Sequence, residues 1–267
     1  MFKSKKSKQK ETEHTKMESN GKEHDSKASL SIDQPNNCPL PSTTSFDFDL
    51  VCHQFQLSIE ITDSVDLTAY LLAYTELNKF FSFFGRLFVF VSADVVEKIN
   101  TLKNYQNDSS ISNHYQTLQS MIKYEINDNL LNHPKRPSGS RTLLRLHRAM
   151  EFIEQFLRDL IEIDDNQSTS GPVQTAYNRT LSRYHPWYIR KLVHVAMYSG
   201  LPTRQQLIKQ ILDSKNSNST SNHDLNDNGC SDREHVNQRI DQLAHIVQKV
   251  YVTTEKLFDS HQLLDLP

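Results

Sequence analysis

Residues 141–162 read RTLLRLHRAMEFIEQFLRDLIE. At about 100° per residue this spacing predicts an amphipathic helix with one narrow column of side chains and three apolar neighbours beside it. The column and its neighbours are Arg141, Arg145, Phe152 and Phe156, flanked by Ala149, Ile153 and Leu160. The face is cationic at one end and apolar at the other, so it fits a ligand with an anionic head group and a hydrocarbon tail.

The arginines also allow a simpler interpretation. Long basic side chains at the end of an apolar helix often reach into water, and Arg141, Arg145 and Arg148 could form a solvated basic edge. Arg145 fits that interpretation less well, because its direction lies between those of Phe152 and Phe156. An arginine that points inward needs an anion, since removing one partner of a buried pair typically costs about 3–5 kcal/mol. Guanidinium groups match phosphate in a bidentate way.

From Phe46 onward, apolar residues recur at helical spacing and no stretch alternates strictly, so the sequence predicts an all-α fold. Proline and glycine separate the predicted helices. These helices span about residues 47–61, 65–83, 85–105, 114–132, 140–162, 173–184, 186–199, 203–213 and 233–260.

Two polar segments flank or interrupt this helical region. Residues 1–44 are rich in Lys, Ser, Glu and Asn, and we expect a disordered extension because such a segment cannot bury enough apolar surface to offset chain entropy. Residues 213–232 are rich in Ser, Asn and Asp and are predicted to form a disordered loop insertion. One domain is therefore predicted over residues 45–267.

Composition excludes several classes of protein. The formal net charge of −2 argues against a strongly basic nucleic-acid binder, and the six glycines form no phosphate-binding loop. The three cysteines are widely spaced and no signal peptide precedes them, which indicates a reducing compartment. The most apolar stretch, residues 71–91, contains three charged residues, so no transmembrane helix is predicted.

A second predicted helix also carries charged residues at one end of an apolar column. Leu87, Val91, Asp94 and Lys98 fall in one column at helical spacing. Taken alone, Asp94 and Lys98 could be an exposed ion pair one turn apart, worth about 0.3–0.5 kcal/mol. Two helices that each carry charges at one end of an apolar face favour a shared site instead.

The segment Tyr184-His185-Pro186-Trp187 is the third candidate element. Proline disfavours helix at His185 and suits the first turn of the next helix, so His185 is expected at a junction where its ring can reach a neighbouring site. A structural histidine is the alternative. Trp187 could pack in the core or anchor the protein at a membrane interface.

Several motifs at consistent spacing resemble the glycolipid transfer protein superfamily over residues 46–267. They are Ala93-Asp-Val-Val-Glu-Lys98, Ser140-Arg-Thr-Leu-Leu-Arg-Leu-His-Arg148, Tyr184-His-Pro-Trp187, Leu201-Pro-Thr-Arg204 and Leu263-Leu-Asp-Leu-Pro267. The resemblance implies a two-layer all-α sandwich that encloses lipid chains between its layers and holds the head group in a surface recess.

The resemblance also implies roles for individual residues. Asp94 would accept hydrogen bonds from the sphingoid amide and hydroxyl, and His185 would bond to the acyl-amide oxygen. Lys98, Arg141 and Arg145 would hold a phosphate. Sugar-binding members stack a tryptophan on the first sugar at the position of Arg145, so arginine there indicates ceramide-1-phosphate as the lipid.

The expected function is therefore non-vesicular transfer of ceramide-1-phosphate between membranes, with Trp187 at the membrane. No catalytic residue, metal, cofactor or nucleic acid is expected, and the protein is expected to be a monomer in the cytosol that touches Golgi, plasma or other internal membranes transiently. Two alternatives remain: transfer or sensing of another sphingolipid such as a simple glycosylceramide, and a phospholipid phosphohydrolase.

Overall fold

The computed structural model describes residues 46–85, 88–198, 200–213 and 229–267. Within these ranges the regular secondary structure is helical, apart from two isolated bridges, so the all-α prediction is confirmed. The α-helices are α1 (Phe48–Ser58), α2 (Leu67–Asn78), α3 (Val89–Asn107), α4 (Leu118–Asn127), α5 (Gly139–Glu162), α6 (Ser170–Arg179), α7 (Trp187–Tyr198), α8 (Arg204–Asp213) and α9 (Gly229–Ser260). Short 3₁₀ helices span Lys79–Phe84, Ser112–Tyr115 and Leu181–Tyr184.

Three predicted helices are shorter than expected. The predicted helix 114–132 splits at Thr117, which caps α4 through a reciprocal hydrogen bond with Ser120. The predicted helices 65–83 and 173–184 each end in a 3₁₀ turn. Helix α9 begins at Gly229, within the predicted loop 213–232. The extension 1–44, the middle of that loop and Leu87 lie outside the described residues.

Helix α5 lies at the centre of the packing. It contacts α9 along its length and also packs against α3, α4 and α6, while α1 packs on α2 and reaches α9. Its apolar side chains, including Leu143, Met150, Phe156 and Leu160, are buried. The core is therefore organised around the same helix that carries Arg141 and Arg145.

The far end of α5 is held by a buried arginine. Arg204 is 2% exposed, and its Nε donates to the main-chain oxygen of Leu160 at 3.0 Å. Its other nitrogens reach Asp165 and the side-chain oxygen of Asn237. Main-chain oxygens at a helix end have no partner within the helix, so Arg204 caps α5 and ties it to α8 and α9.

The N-terminal end of α5 begins at Gly139, whose surroundings leave no room for a side chain. A Cβ at Gly139 would lie 2.7 Å from the Met121 sulfur and 2.8 Å from Cε1 of Tyr115. The close approach of α4 and the Ser112–Tyr115 turn to the head of α5 therefore depends on glycine at this position.

Gly139→Ala is expected to lower the free energy of unfolding by about 1–3 kcal/mol, because the added methyl group overpacks this contact. Urea denaturation followed by circular dichroism measures the change. The matched control is Gly171→Ala in α6, where a Cβ meets nothing within 4 Å, and which is expected to stay within about 0.5 kcal/mol of wild type. Equal stability of the two variants would show that the contact at Gly139 relaxes freely.

Candidate functional site

Asp94 and Lys98 form a pair on α3. Nζ of Lys98 lies 2.5 Å from Oδ1 of Asp94. The pair is uneven, because the side chain of Asp94 is 61% exposed and that of Lys98 only 14%. The ion pair weighed from the sequence therefore forms, but the ammonium lies against the protein surface while the carboxylate faces solvent.

His185 lies at the junction that proline predicted. It follows the Leu181–Tyr184 turn with an extended backbone, at φ −101° and ψ 134°, as expected before Pro186. Its Nδ1 lies 2.9 Å from the hydroxyl of Tyr177, a partner that sequence spacing could not reveal. The half-buried ring is thus held in one orientation by α6.

The electrostatics of His185 connect it to α3. Burial lowers the pKa of His185 below 6.5, the Asp94 carboxylate opposes that shift, and the Lys98 ammonium reinforces it. The charges of Asp94 and Lys98 on α3 therefore act on the imidazole of His185, which lies on a different segment of the chain. Asp94, Lys98 and His185 therefore form one electrostatic group.

Arg141 and Arg145 form a second group at the head of α5. Nε of Arg141 donates to the main-chain oxygen of Pro267 at 3.2 Å, and a terminal nitrogen of Arg145 lies 3.5 Å from the same oxygen. Arg145 is exposed and Arg141 partly so. Of the two directions considered for Arg145, the structure shows the outward one, with the side chain exposed beside Pro267. Further along the helix the same column becomes buried at Phe156.

Arg148 links the two groups. It donates to the main-chain oxygens of Leu264 and Leu266 at 2.8 and 3.1 Å, and its guanidinium lies 4.2 Å from the ring centre of Tyr184. Burial lowers its pKa. Arg148 is therefore not part of a free basic edge: it fastens residues 264–266 over α5 and contacts the residue next to His185.

An apolar cavity of about 40 Å³ lies between α5 and the helices around it. Ile153 and Leu160 line it as the stripe on α5 predicted, together with Phe80, Ile208 and Ile240 from distant segments. Ligand pockets usually measure about 300–1,000 Å³, so the cavity is too small to hold a ligand of ordinary size.

Helix α7 presents an apolar face to solvent. Trp187 is 63% exposed, and Tyr188, Leu192 and Val195 on the same side of the helix are also exposed. Nζ of Lys191 lies 4.9 Å from the ring centre of Trp187. Core packing, one of the two interpretations of Trp187, is therefore wrong.

Among the helices described, none is long and apolar enough to cross a membrane. Within the same residues, no group of three or more His, Cys, Asp or Glu side chains is placed to hold a metal ion.

Comparison with known proteins gives concordant matches. The family described as "Glycolipid transfer protein (GLTP)" matches residues 65–213. A ceramide-1-phosphate transfer protein of Danio rerio is 35% identical over 227 residues, which cover 84% of this chain and 99% of the relative.

Solved structures match equally well. The apo-form of mouse ceramide-1-phosphate transfer protein has a TM-score of 0.70 at 31% identity and covers 83% of this chain and 100% of its own. The human protein in complex with 12:0 ceramide-1-phosphate has a TM-score of 0.69 at 30% identity, with coverage of 83% and 100%. The predicted fold class is confirmed by these matches.

The pKa of His185 offers a direct check of the first group. Measured by NMR titration of its ring protons, it is expected below 6.5. Asp94→Asn should lower it further, because a negative charge that favours the imidazolium is removed, and Lys98→Met should raise it. A pKa above 6.5, or one that responds to neither substitution, would contradict the proximity of α3 and His185.

Proposed function

This chain belongs to the glycolipid transfer protein family, and we propose that it binds ceramide-1-phosphate and moves it between membranes. The observation that carries the proposal is that the charges of Asp94 and Lys98 act on His185, while Arg148 joins the arginine end of α5 to Tyr184 beside His185. Relatives at 30–35% identity are ceramide-1-phosphate transfer proteins by name.

The proposed phosphate site consists of Lys98, Arg141 and Arg145. A phosphomonoester carries about −1.5 to −2 charges at neutral pH, which three cations match. The two arginines donate to a main-chain oxygen of Pro267. A phosphomonoester would accept charge-assisted hydrogen bonds from them, and its entry would take over these donors.

Asp94 and His185 would recognise the ceramide amide. The exposed Asp94 carboxylate can accept hydrogen bonds from the amide N–H and the sphingoid hydroxyl. We assign the Tyr177 hydroxyl as the donor to Nδ1 of His185, which leaves the ring proton on Nε2 to donate to the acyl-amide oxygen. Glycerolipids lack the amide donor, so this arrangement favours a sphingolipid.

The residue at position 145 distinguishes the two candidate sphingolipids, because one has a phosphate head group and the other a sugar. In the sugar-binding members that the sequence resembles, a tryptophan at the position of Arg145 stacks on the first sugar. An exposed arginine offers no such indole platform and adds a cation. Phosphate is therefore favoured over the sugar of a glycosylceramide.

The hydrocarbon chains would enter between the helices around the cavity. Burying a methylene group contributes about 0.8 kcal/mol, so a chain of about 16 carbons supplies on the order of 13 kcal/mol. The cavity of about 40 Å³ cannot hold such a chain. Binding would separate the helices that line it, and the packing of their apolar side chains on one another would give way to packing on the lipid.

The exposed face of α7 would rest on the membrane while lipid is exchanged. Trp187 and Tyr188 carry both apolar rings and polar atoms, as do aromatic residues at membrane interfaces. The contact is proposed as transient and peripheral, by a cytosolic monomer at Golgi, plasma or other internal membranes.

Transfer requires no bond to be broken. A phosphohydrolase would release phosphate from the same lipid, and mass spectrometry of the lipid after prolonged incubation with the protein distinguishes the two. We expect the lipid to be recovered intact.

Arg141→Ala and Arg145→Ala are each expected to abolish transfer of ceramide-1-phosphate between vesicles, because a charge-assisted bond to phosphate is lost. Helicity should remain that of the wild type by circular dichroism. The matched control is Arg158→Ala on the same helix, whose guanidinium pairs with Glu154 and Asp241. Unchanged transfer by both head-end variants would refute the phosphate site.

Trp187→Ala should slow association with vesicles more than it weakens binding of a short-chain lipid in solution. Vesicle flotation and calorimetry measure the two effects separately. Ile126→Ala, an exposed apolar residue on α4, should change neither. A larger effect on soluble-lipid binding than on flotation would place Trp187 in the pocket and not at the membrane.

A further inference from the structure

A buried carboxylate lies directly behind the head of α5. Glu125 is 1% exposed and lies in the last turn of α4. Its Oε1 accepts hydrogen bonds from the Tyr115 hydroxyl at 2.9 Å and from the main-chain N–H of Gly139 at 2.6 Å. Its Oε2 accepts from the Ser138 hydroxyl at 2.7 Å and from the main-chain N–H of Ser140 at 2.9 Å.

These four donors occupy the whole acceptor capacity of a carboxylate. Two oxygens offer about four lone-pair sites, and each one here faces an N–H or O–H group. Two of the donors are the first main-chain N–H groups of α5, which have no partner within the helix. Glu125 therefore binds the start of α5 as an anion binds a helix N-terminus.

The same contact reaches the backbone of Arg141. Ser138 is the N-cap of α5, and its hydroxyl oxygen accepts from the main-chain N–H of Arg141 at 3.1 Å. Because the Ser138 hydroxyl donates its own hydrogen to Glu125, one chain of hydrogen bonds runs from the carboxylate through Ser138 to Arg141. The turn that carries Arg141 is held from behind.

The network also fixes α5 against α3. Tyr105 on α3 donates from its hydroxyl to the main-chain oxygen of Pro137 at 2.6 Å. The Arg136 guanidinium lies 4.4 Å from the Tyr105 ring centre and donates to the Tyr115 hydroxyl at 2.9 Å. Since α3 also carries Asp94 and Lys98, the network sets the position of the arginine helix relative to the helix of the other candidate ligands.

We propose that Glu125 is a positioning residue for the head-group site, which holds the first turn of α5 so that Arg141 meets the lipid phosphate together with Lys98. Glu125 does not touch the lipid and acts only through Arg141. The proposal rests on the phosphate site described under the proposed function.

Two explanations of Glu125 predict opposite effects of Glu125→Gln on lipid affinity. If its charge acted on phosphate directly, Glu125→Gln would remove a repulsion and tighten binding. If Glu125 positions Arg141, the same substitution weakens binding, because the amide nitrogen of glutamine cannot accept a hydrogen bond and two of the four donors lose their acceptor.

A double-mutant cycle with short-chain ceramide-1-phosphate, measured by isothermal titration calorimetry, tests the positioning role. Glu125→Gln is expected to lower affinity about tenfold and Arg141→Ala by about 10- to 100-fold, within the range for hydrogen bonds to charged groups. The double variant should match Arg141→Ala within about twofold, since residues that act as one unit are not additive.

A matched control uses another buried glutamate. Glu76 on α2 accepts from the main-chain N–H of Asp47 at 2.6 Å and pairs with Lys79 at 2.7 Å. Any effect of Glu76→Gln should add to that of Arg141→Ala.

Ser138→Ala breaks only the link between Glu125 and the Arg141 backbone, and it should give a smaller loss of about threefold with the same non-additivity. It replaces Glu125→Gln if that variant does not fold by circular dichroism.

Unchanged or tighter binding by Glu125→Gln, or a loss that adds fully to that of Arg141→Ala, would overturn the positioning role. Unchanged binding by Arg141→Ala alone would instead refute the phosphate site on which the proposal rests.

Discussion

The placement of α5 is the constraint on which the rest of the structure depends. Its apolar side chains are buried from Leu143 to Leu160, so the helix lies among the surrounding helices along most of its length. Arg141 and Arg145 lie in the column that is buried further along at Phe156, and this column reaches the surface in the first two turns. The placement of α5 therefore brings two cations to the rim of the core.

Both ends of α5 are fixed by polar groups that form hydrogen bonds with main-chain atoms that have no partner within the helix. Glu125 and Ser138 accept from the first N–H groups, and Arg204 donates to an oxygen of the last turn. Such bonds are costly to lose when buried, since an unsatisfied polar group typically costs about 1–3 kcal/mol. The helix is therefore held in position at both ends.

Periodicity predicted the helical fold and the stripe on α5, and Pro186 predicted the junction at His185, because these features are local in sequence. It failed where contacts join distant segments. Sequence spacing does not reveal that main-chain oxygens of Leu264, Leu266 and Pro267 accept hydrogen bonds from the arginines of α5. It also does not reveal that the Tyr177 hydroxyl orients His185. Glu125 was missed for the same reason, since a glutamate near the end of an amphipathic helix looks like a solvated residue until α5 is placed against it.

The proposed head-group site rests on the exposed carboxylate of Asp94, the nearly buried side chain of Lys98 and the lowered pKa of His185. The most direct test of the central claim is a vesicle-to-vesicle transfer assay on the wild-type protein with ceramide-1-phosphate, a simple glycosylceramide, sphingomyelin and phosphatidic acid as competing cargoes. Fastest transfer of ceramide-1-phosphate is the expected result. Equal or faster transfer of the glycosylceramide or of phosphatidic acid would contradict the account.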